Sequence, residues 1–167
     1  MRKLLMALEL VLAVPFVLQA PFAVWDEVHE DACEEASVAM LKAFSDGRKT
    51  PLSKEEMDAM ILAIVEHENR ILGYNKDTSA EETAMIMRDL YGLKAKVLAV
   101  KSLDDIKKQI IVGRPVILPA HGKALRNPFF KDGGPVYHML VVKGWTATHI
   151  ITNDPGTKRG ERYAYGS

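Results

Sequence analysis

The chain is poor in cysteine, in net charge and in unbroken apolar runs, and each scarcity removes a class of protein. One cysteine, Cys33, stands among 167 residues, so neither an intramolecular disulfide nor a four-cysteine metal site can form. What is left open is a lone thiol whose job is chemistry. Lys plus Arg and Asp plus Glu come to 22 each, giving a formal net charge of zero. With no basic run carrying interleaved aromatics, the sequence offers no electrostatic footprint for nucleic acid or anionic lipid. The apolar stretch from Leu4 to Leu18 is broken by Glu9 and Pro15. It falls short of the roughly 20 apolar residues a bilayer span requires, so no stable membrane span is expected. What is present is ordinary: 48% hydrophobic and 26% charged residues, the composition of a compact globular domain rather than a disordered tail or a rod.

Met1-Arg2-Lys3 ahead of that apolar stretch has the outline of a secretory leader. A small-residue cleavage rule is met after Ala13, whereas cleavage after Ala20 would place Pro21 at the first mature position. The expected organisation is therefore a leader over residues 1–13 and one domain over 14–167, with export to the outside or the cell surface favoured over a cytoplasmic location.

No repeat, low-complexity tract or linker divides the remainder, but its character changes near residue 95. Before that point Asp31 to Phe44 and Ser53 to Leu72 read as helices, the second with Ser53 and Glu56 as a capping box and Gly73 as its stop. Met57, Met60, Ile61, Ile64, Val65 and Ile71 recur at helical spacing and make a core stripe. Ser79 and Glu82 repeat the capping signature before a third helix ending at Tyr91-Gly92, and Ser102 opens a fourth reaching Val112. Strands are expected over Ala95 to Val100, Pro115 to Pro119, His138 to Lys143 and Ile150 to Thr152, each bounded by Gly, Pro, Asn or Asp. Helices gathered early and strands late, without βαβ alternation, predict an α+β domain with a mainly antiparallel sheet.

Cys33 lies where a turn feeds the first helix. There, unpaired backbone N–H groups and the helix dipole favour thiolate over thiol, lowering a pKa that starts near about 8.5. A nucleophilic thiol also needs a base within reach and a group to orient that base. Of the five histidines, His67 is expected on a solvated helix face among Glu66, Glu68 and Arg70, while His29 close to Cys33, His121 in a Pro/Gly-bounded loop and His149 at the start of a strand are each read as structural. His138 follows the turn-forming Gly133-Gly134-Pro135 and opens the apolar strand Met139-Leu140-Val141-Val142, a rigid place for an imidazole. The next strand runs into Asn153-Asp154-Pro155-Gly156, so hairpin pairing returns an amide or a carboxylate to the start of the preceding strand. Either Asn153 or Asp154 is a candidate to orient the ring. A zinc site built from Cys33, His138, Asp154 and His29 is disfavoured because no short ligand pair is present.

Several segments, taken in order, carry a resemblance. They are Val14-Pro15-Phe16-Val17-Leu18-Gln19-Ala20-Pro21-Phe22, Trp25 with Cys33-Glu34-Glu35-Ala36-Ser37, Gly73-Tyr74-Asn75, Gly113-Arg114-Pro115-Val116-Ile117, Tyr137-His138-Met139-Leu140-Val141-Val142-Lys143-Gly144-Trp145 and Asn153-Asp154-Pro155-Gly156-Thr157. The sequence resembles the C39-like branch of the papain-type cysteine peptidases over nearly its whole length. The resemblance implies a papain-like fold, with Cys33 as nucleophile, His138 as base, Asp154 as the residue orienting the base, and Gln19 upstream as an oxyanion donor. It implies a monomer that acts without cofactor on a peptide or protein substrate through an acyl-enzyme. An acyltransferase using the same cysteine, or a catalytically silent binding or cell-surface domain, are the alternatives. Glu34 stands where many relatives have glycine, which marks a divergent subfamily.

Overall fold

The structure is a computed structural model that describes residues 9–157 and the backbone of 164–166. Its elements are β1 (Leu10–Val11), α1 (Cys33–Ser45), α2 (Lys54–Ile71), α3 (Ala80–Tyr91), α4 (Leu103–Ile111), β2 (Val116–His121), β3 (Tyr137–Trp145), β4 (His149–Asn153) and β5 (Ala164–Gly166). The helices begin and end where the local chemistry dictates. Ser53 Oγ accepts the Glu56 N–H while the Glu56 carboxylate accepts the Ser53 N–H, and Ser79 and Glu82 do the same for α3. Gly92 closes α3 in the left-handed region at φ 65°. The start of α1 differs: Ala32 precedes it and supplies no side-chain cap, so its first N–H groups are left for other partners.

All strand pairs are antiparallel, and β3 is the hub. Its Tyr137–Val142 half pairs with β2, and its Gly144 and Trp145 pair with β1 on the same side. β4 runs along the other side and carries β5. Helices cover both faces of this strand. Val141 packs into the core formed with α1, α2 and α3, whereas Leu140 and Val142 pack with Ile106 and Ile110 of α4. That two-sided burial is why β3 reads as a continuous apolar run instead of an alternating one. Gly144 is required where β1 crosses close: a Cβ there would lie 2.8 Å from Val11 Cα and would also collide with the Leu10 carbonyl.

The chain is thus an α+β domain with an antiparallel sheet, as its sequence predicts. The expected strand Ala95 to Val100 is a correction. That segment joins no ladder, and Val97, Leu98 and Val100 are exposed. Its β-branched composition found no sheet edge to pair with, and strand propensity is realised only through such pairing. Leu10 and Val11, inside the stretch read as a leader, are hydrogen-bonded into the sheet, and the Leu12 N–H donates to the Lys143 carbonyl. Cleavage after Ala13 would therefore remove a paired strand. The basic start of the leader, residues 1–8, lies outside the described residues. Among the described residues, no helix is long and apolar enough to cross a membrane.

Candidate active site

Cys33 is the first residue of α1, which starts two residues later than the expected Asp31, and it is 6% exposed. The helix sets its sulfur against β3, where the backbone N–H of Met139 points at it. The electrostatics run opposite to the expectation from a helix N-terminus. The thiol Sγ–H donates to Glu34 Oε2 at 2.9 Å. Burial first, and then the neighbouring Glu34 carboxylate, push the Cys33 pKa well above its ordinary value, outweighing the Met139 N–H. Dipole stabilisation is a matter of a few tenths to about 1 kcal/mol at an exposed site. Desolvating a thiolate beside a carboxylate is the larger effect.

His138 is 2% exposed and its Nε2 lies 2.8 Å from Asp154 Oδ1. Because a carboxylate only accepts, Nε2 carries the proton, and Nδ1 is the ring nitrogen left with a lone pair. Among the described residues no hydrogen bond joins Nδ1 to Cys33. Three further features hold the pair. The Gly156 N–H donates to Asp154 Oδ1 at 3.0 Å, Asn127 Nδ2 donates to Asp154 Oδ2 at 3.2 Å, and the Phe130 ring meets the imidazole edge-on with centroids 5.1 Å apart. Asp154 is fully buried. The hairpin of β3 and β4 delivers it, since Asn153 pairs with Val141 three residues beyond His138.

Of the two candidates for orienting the ring, Asp154 makes the contact. Asn153 is turned elsewhere: its Nδ2 donates to the carbonyls of Val14 at 3.1 Å and Pro15 at 3.3 Å, pinning the N-terminal segment to the sheet. Gln19 is 4% exposed, and its side chain comes close to the site, because a Cβ on Gly156 would lie 3.2 Å from His138 Cε1 and 3.3 Å from Gln19 Oε1. Its amide Nε2 donates to the carbonyls of His29 and Glu30, both at 3.1 Å, and its own N–H donates to the Pro155 carbonyl. Gln19 thereby ties the loop before α1 to the Asp154-Pro155-Gly156 turn. That loop builds a cleft of about 420 Å³ bordered by Phe22, His29, Asp58 and Leu62.

The other histidines serve local structure. His29 bridges Asp26 and Asp58 at 2.8 and 2.9 Å, His121 Nδ1 accepts the Ala124 N–H, and His149 is exposed beside Thr148. His67 is a correction: it is buried, its Nδ1 accepts from Arg70, and among the described residues its Nε2 has no partner. The α2 face carrying His67 and Glu68 packs inward, which the surrounding charges concealed. Asn127 and Phe130 were not singled out from the sequence. Both lie in the loop between β2 and β3, and a side chain in a loop has no periodicity to reveal it.

Three buried carboxyls lie behind the thiol. Glu34 Oε1 accepts the Thr78 N–H at 3.0 Å, and burial raises the Glu34 pKa. Glu35 is fully buried and meets Glu68 of α2; among the described residues no N–H or hydroxyl donor reaches either of its oxygens, nor Glu68 Oε2. Burial, then the charge of Glu68, lifts Glu35 well above the carboxylate range, and burial pushes Glu68 up to about 7. A shared proton is the simplest way for two such groups to coexist in the core. Among the described residues, no three His, Cys, Asp or Glu side chains gather to hold a metal.

A Bacillus anthracis protein, known from a crystal structure described as that of a candidate C39-like peptidase, matches with a TM-score of 0.64 and 16% identity. The match covers 95% of this chain and 88% of that one, and shows a common fold. Among curated proteins, none matches the sequence. The model of the peptidase C39-like family matches residues 11–166, a span that holds β2 to β5, the helix bearing Cys33 and the His138–Asp154 hairpin, and the chain belongs to the peptidase C39-like family.

Proposed function

We propose that the protein is a cysteine peptidase that cleaves a peptide or peptide-like amide through Cys33, His138 and Asp154. The observation that carries this reading is the buried 2.8 Å contact between His138 Nε2 and Asp154 Oδ1, beside a strand whose next residue, Met139, directs its N–H at the Cys33 sulfur. That contact fixes the tautomer in which Nδ1 is the base. The sulfur turns from Glu34 to His138, its proton passes to Nδ1, and the S–C bond forms as the carbonyl π pair moves onto oxygen. The uncapped start of α1 presents the Cys33 N–H to that oxyanion. Gln19 supplies a second donor by exchanging the His29 or Glu30 carbonyl for it, and one such donor is worth roughly 3 to 4 kcal/mol of barrier. As the intermediate collapses, Nδ1–H protonates the leaving amine. Water, deprotonated by the same nitrogen, then hydrolyses the thioester and restores the thiol. Exposed Phe22 and Val24 line the cleft beside His29 and suit an apolar stretch of substrate.

The experiment follows iodoacetamide alkylation of Cys33 against pH in the wild type and in His138→Ala, which requires no substrate. Slowing of at least tenfold at pH 7 in the variant is expected. Equal rates would refute a Cys–His couple. A second reading, a C39-like binding domain without catalysis, is favoured by the thiol's contact with Glu34 and its raised pKa. It predicts those equal rates.

A further inference from the structure

Glu34 is the residue the peptidase chemistry leaves unexplained. It follows the nucleophile directly and is 1% exposed, and its two oxygens are divided between the Cys33 thiol at 2.9 Å and the Thr78 N–H at 3.0 Å. The second contact fixes the first. Thr78 lies in the loop between α2 and α3, its carbonyl accepts the Tyr137 hydroxyl at 2.6 Å, and Tyr137 directly precedes His138. The carboxyl is thus held between the nucleophile's helix and the strand that carries the base. It does not swing with solvent.

We propose that Glu34 is a positioning residue that holds Cys33 as a neutral thiol turned away from His138, so that the resting protein keeps its nucleophile in reserve. The inference rests on the cysteine peptidase reading for its purpose. Its geometry is independent of that reading. A sulfur donating its proton to Glu34 Oε2 is not donating to His138 Nδ1; rotation of the sulfur exchanges one acceptor for the other, the small turned fraction paired with His138 is the form that iodoacetamide alkylates in the free protein, and engagement of substrate makes that form the majority. The proton on sulfur then goes to Nδ1, and Glu34 keeps the Thr78 N–H. A carboxylate this close opposes thiolate formation, which protects the lone thiol from oxidation and alkylation between turnovers. The other ionisable groups whose charges reach this cluster are Glu35 on α1, Glu68 on α2, Asp77 beside Thr78, Glu82 on α3 and Tyr137 on β3. All are acidic, so the environment as a whole favours the neutral sulfur.

Glu34→Gln tests this with little change in shape. The amide oxygen keeps the Thr78 N–H, and the amide N–H₂ turns to the sulfur, replacing an acceptor that suits the thiol with a donor that suits the thiolate. The readout is the pH midpoint and rate of Cys33 alkylation by iodoacetamide in the full chain, with circular dichroism melting as the check on folding. The midpoint is expected to move down by at least one pH unit and the rate at pH 7 to rise about tenfold. Glu34→Asp, which withdraws the carboxylate by one methylene, is expected to fall between the two. A folded Glu34→Gln protein with an unchanged or raised midpoint would overturn the proposal, as would a folded Glu34→Asp at the wild-type rate should the glutamine variant not fold. The two readings fail separately. If His138→Ala changes nothing while Glu34→Gln still lowers the midpoint, the peptidase reading falls and the thiol-holding role stands; the reverse pattern sinks only the role of Glu34.

Discussion

Replacing Glu68 by Gln should make the protein more stable at neutral and alkaline pH. Glu68 is 1% exposed, and burial lifts it from its ordinary 4.5 to about 7. A carboxyl raised in the folded state keeps a proton that the unfolded chain has already released. The folded state is therefore favoured fully below the unfolded value, and that contribution is lost as pH rises towards the folded one. Between pH 4.5 and 7 the loss is about 1.4 kcal/mol per pH unit for one proton, so it sums to about 3 kcal/mol and levels off above. Glutamine cannot ionise, and it also removes the charge that lifts Glu35. Surface carboxylates slope in the opposite sense but equally in both proteins, so they cancel in the difference. Urea unfolding of the wild type and Glu68→Gln at pH 5, 6, 7 and 8 measures it. The variant should gain on the wild type with each step up to pH 7, reaching about 3 kcal/mol by pH 8, less the cost of fitting an amide beside Glu35. Two stability curves running parallel from pH 5 to 8 would show that the pair does not hold a proton in the fold.

Two further substitutions separate the chemistry from the scaffold. Gly156→Ala places a methyl 3.2 Å from His138 Cε1 and 3.3 Å from Gln19 Oε1; the protein should fold, with Cys33 alkylation at pH 7 slowed several-fold, and an unaltered rate would mean the imidazole does not depend on this close contact. Asn153→Ala removes the donor to the Val14 and Pro15 carbonyls and should cost about 1 to 3 kcal/mol in urea unfolding while leaving the pH midpoint of alkylation in place. A moved midpoint without loss of stability would make Asn153 an orienting residue after all.

The helices were legible because each is announced by residues that act within one turn of themselves: Ser53 with Glu56, Ser79 with Glu82, Gly92 at a left-handed end. The strands of the hairpin were legible because β3 is apolar throughout and β4 is bounded by turn formers. Ala95 to Val100 has the same composition and forms no strand, since a ladder needs a partner that no local rule supplies. Residue order likewise singled out Cys33, His138 and the Asn153-Asp154 turn; the preference for Asp154 over Asn153 came from the family resemblance, because spacing alone does not tell which of the two faces the ring.

The sequence by itself determined the α+β class, a first helix starting close to Cys33 and the candidate set for chemistry, because those depend on neighbours a few residues apart. Tertiary structure alone decided that Asn153 turns to the Val14 and Pro15 carbonyls, that Asn127 and Phe130 support the His138–Asp154 pair, and that Gln19 ties two loops together. It also decided the state of the thiol. A helix N-terminus read locally favours thiolate, but burial and the fixed Glu34 carboxylate outweigh the dipole, and desolvation is a property of everything packed around an atom rather than of the residues beside it in the chain.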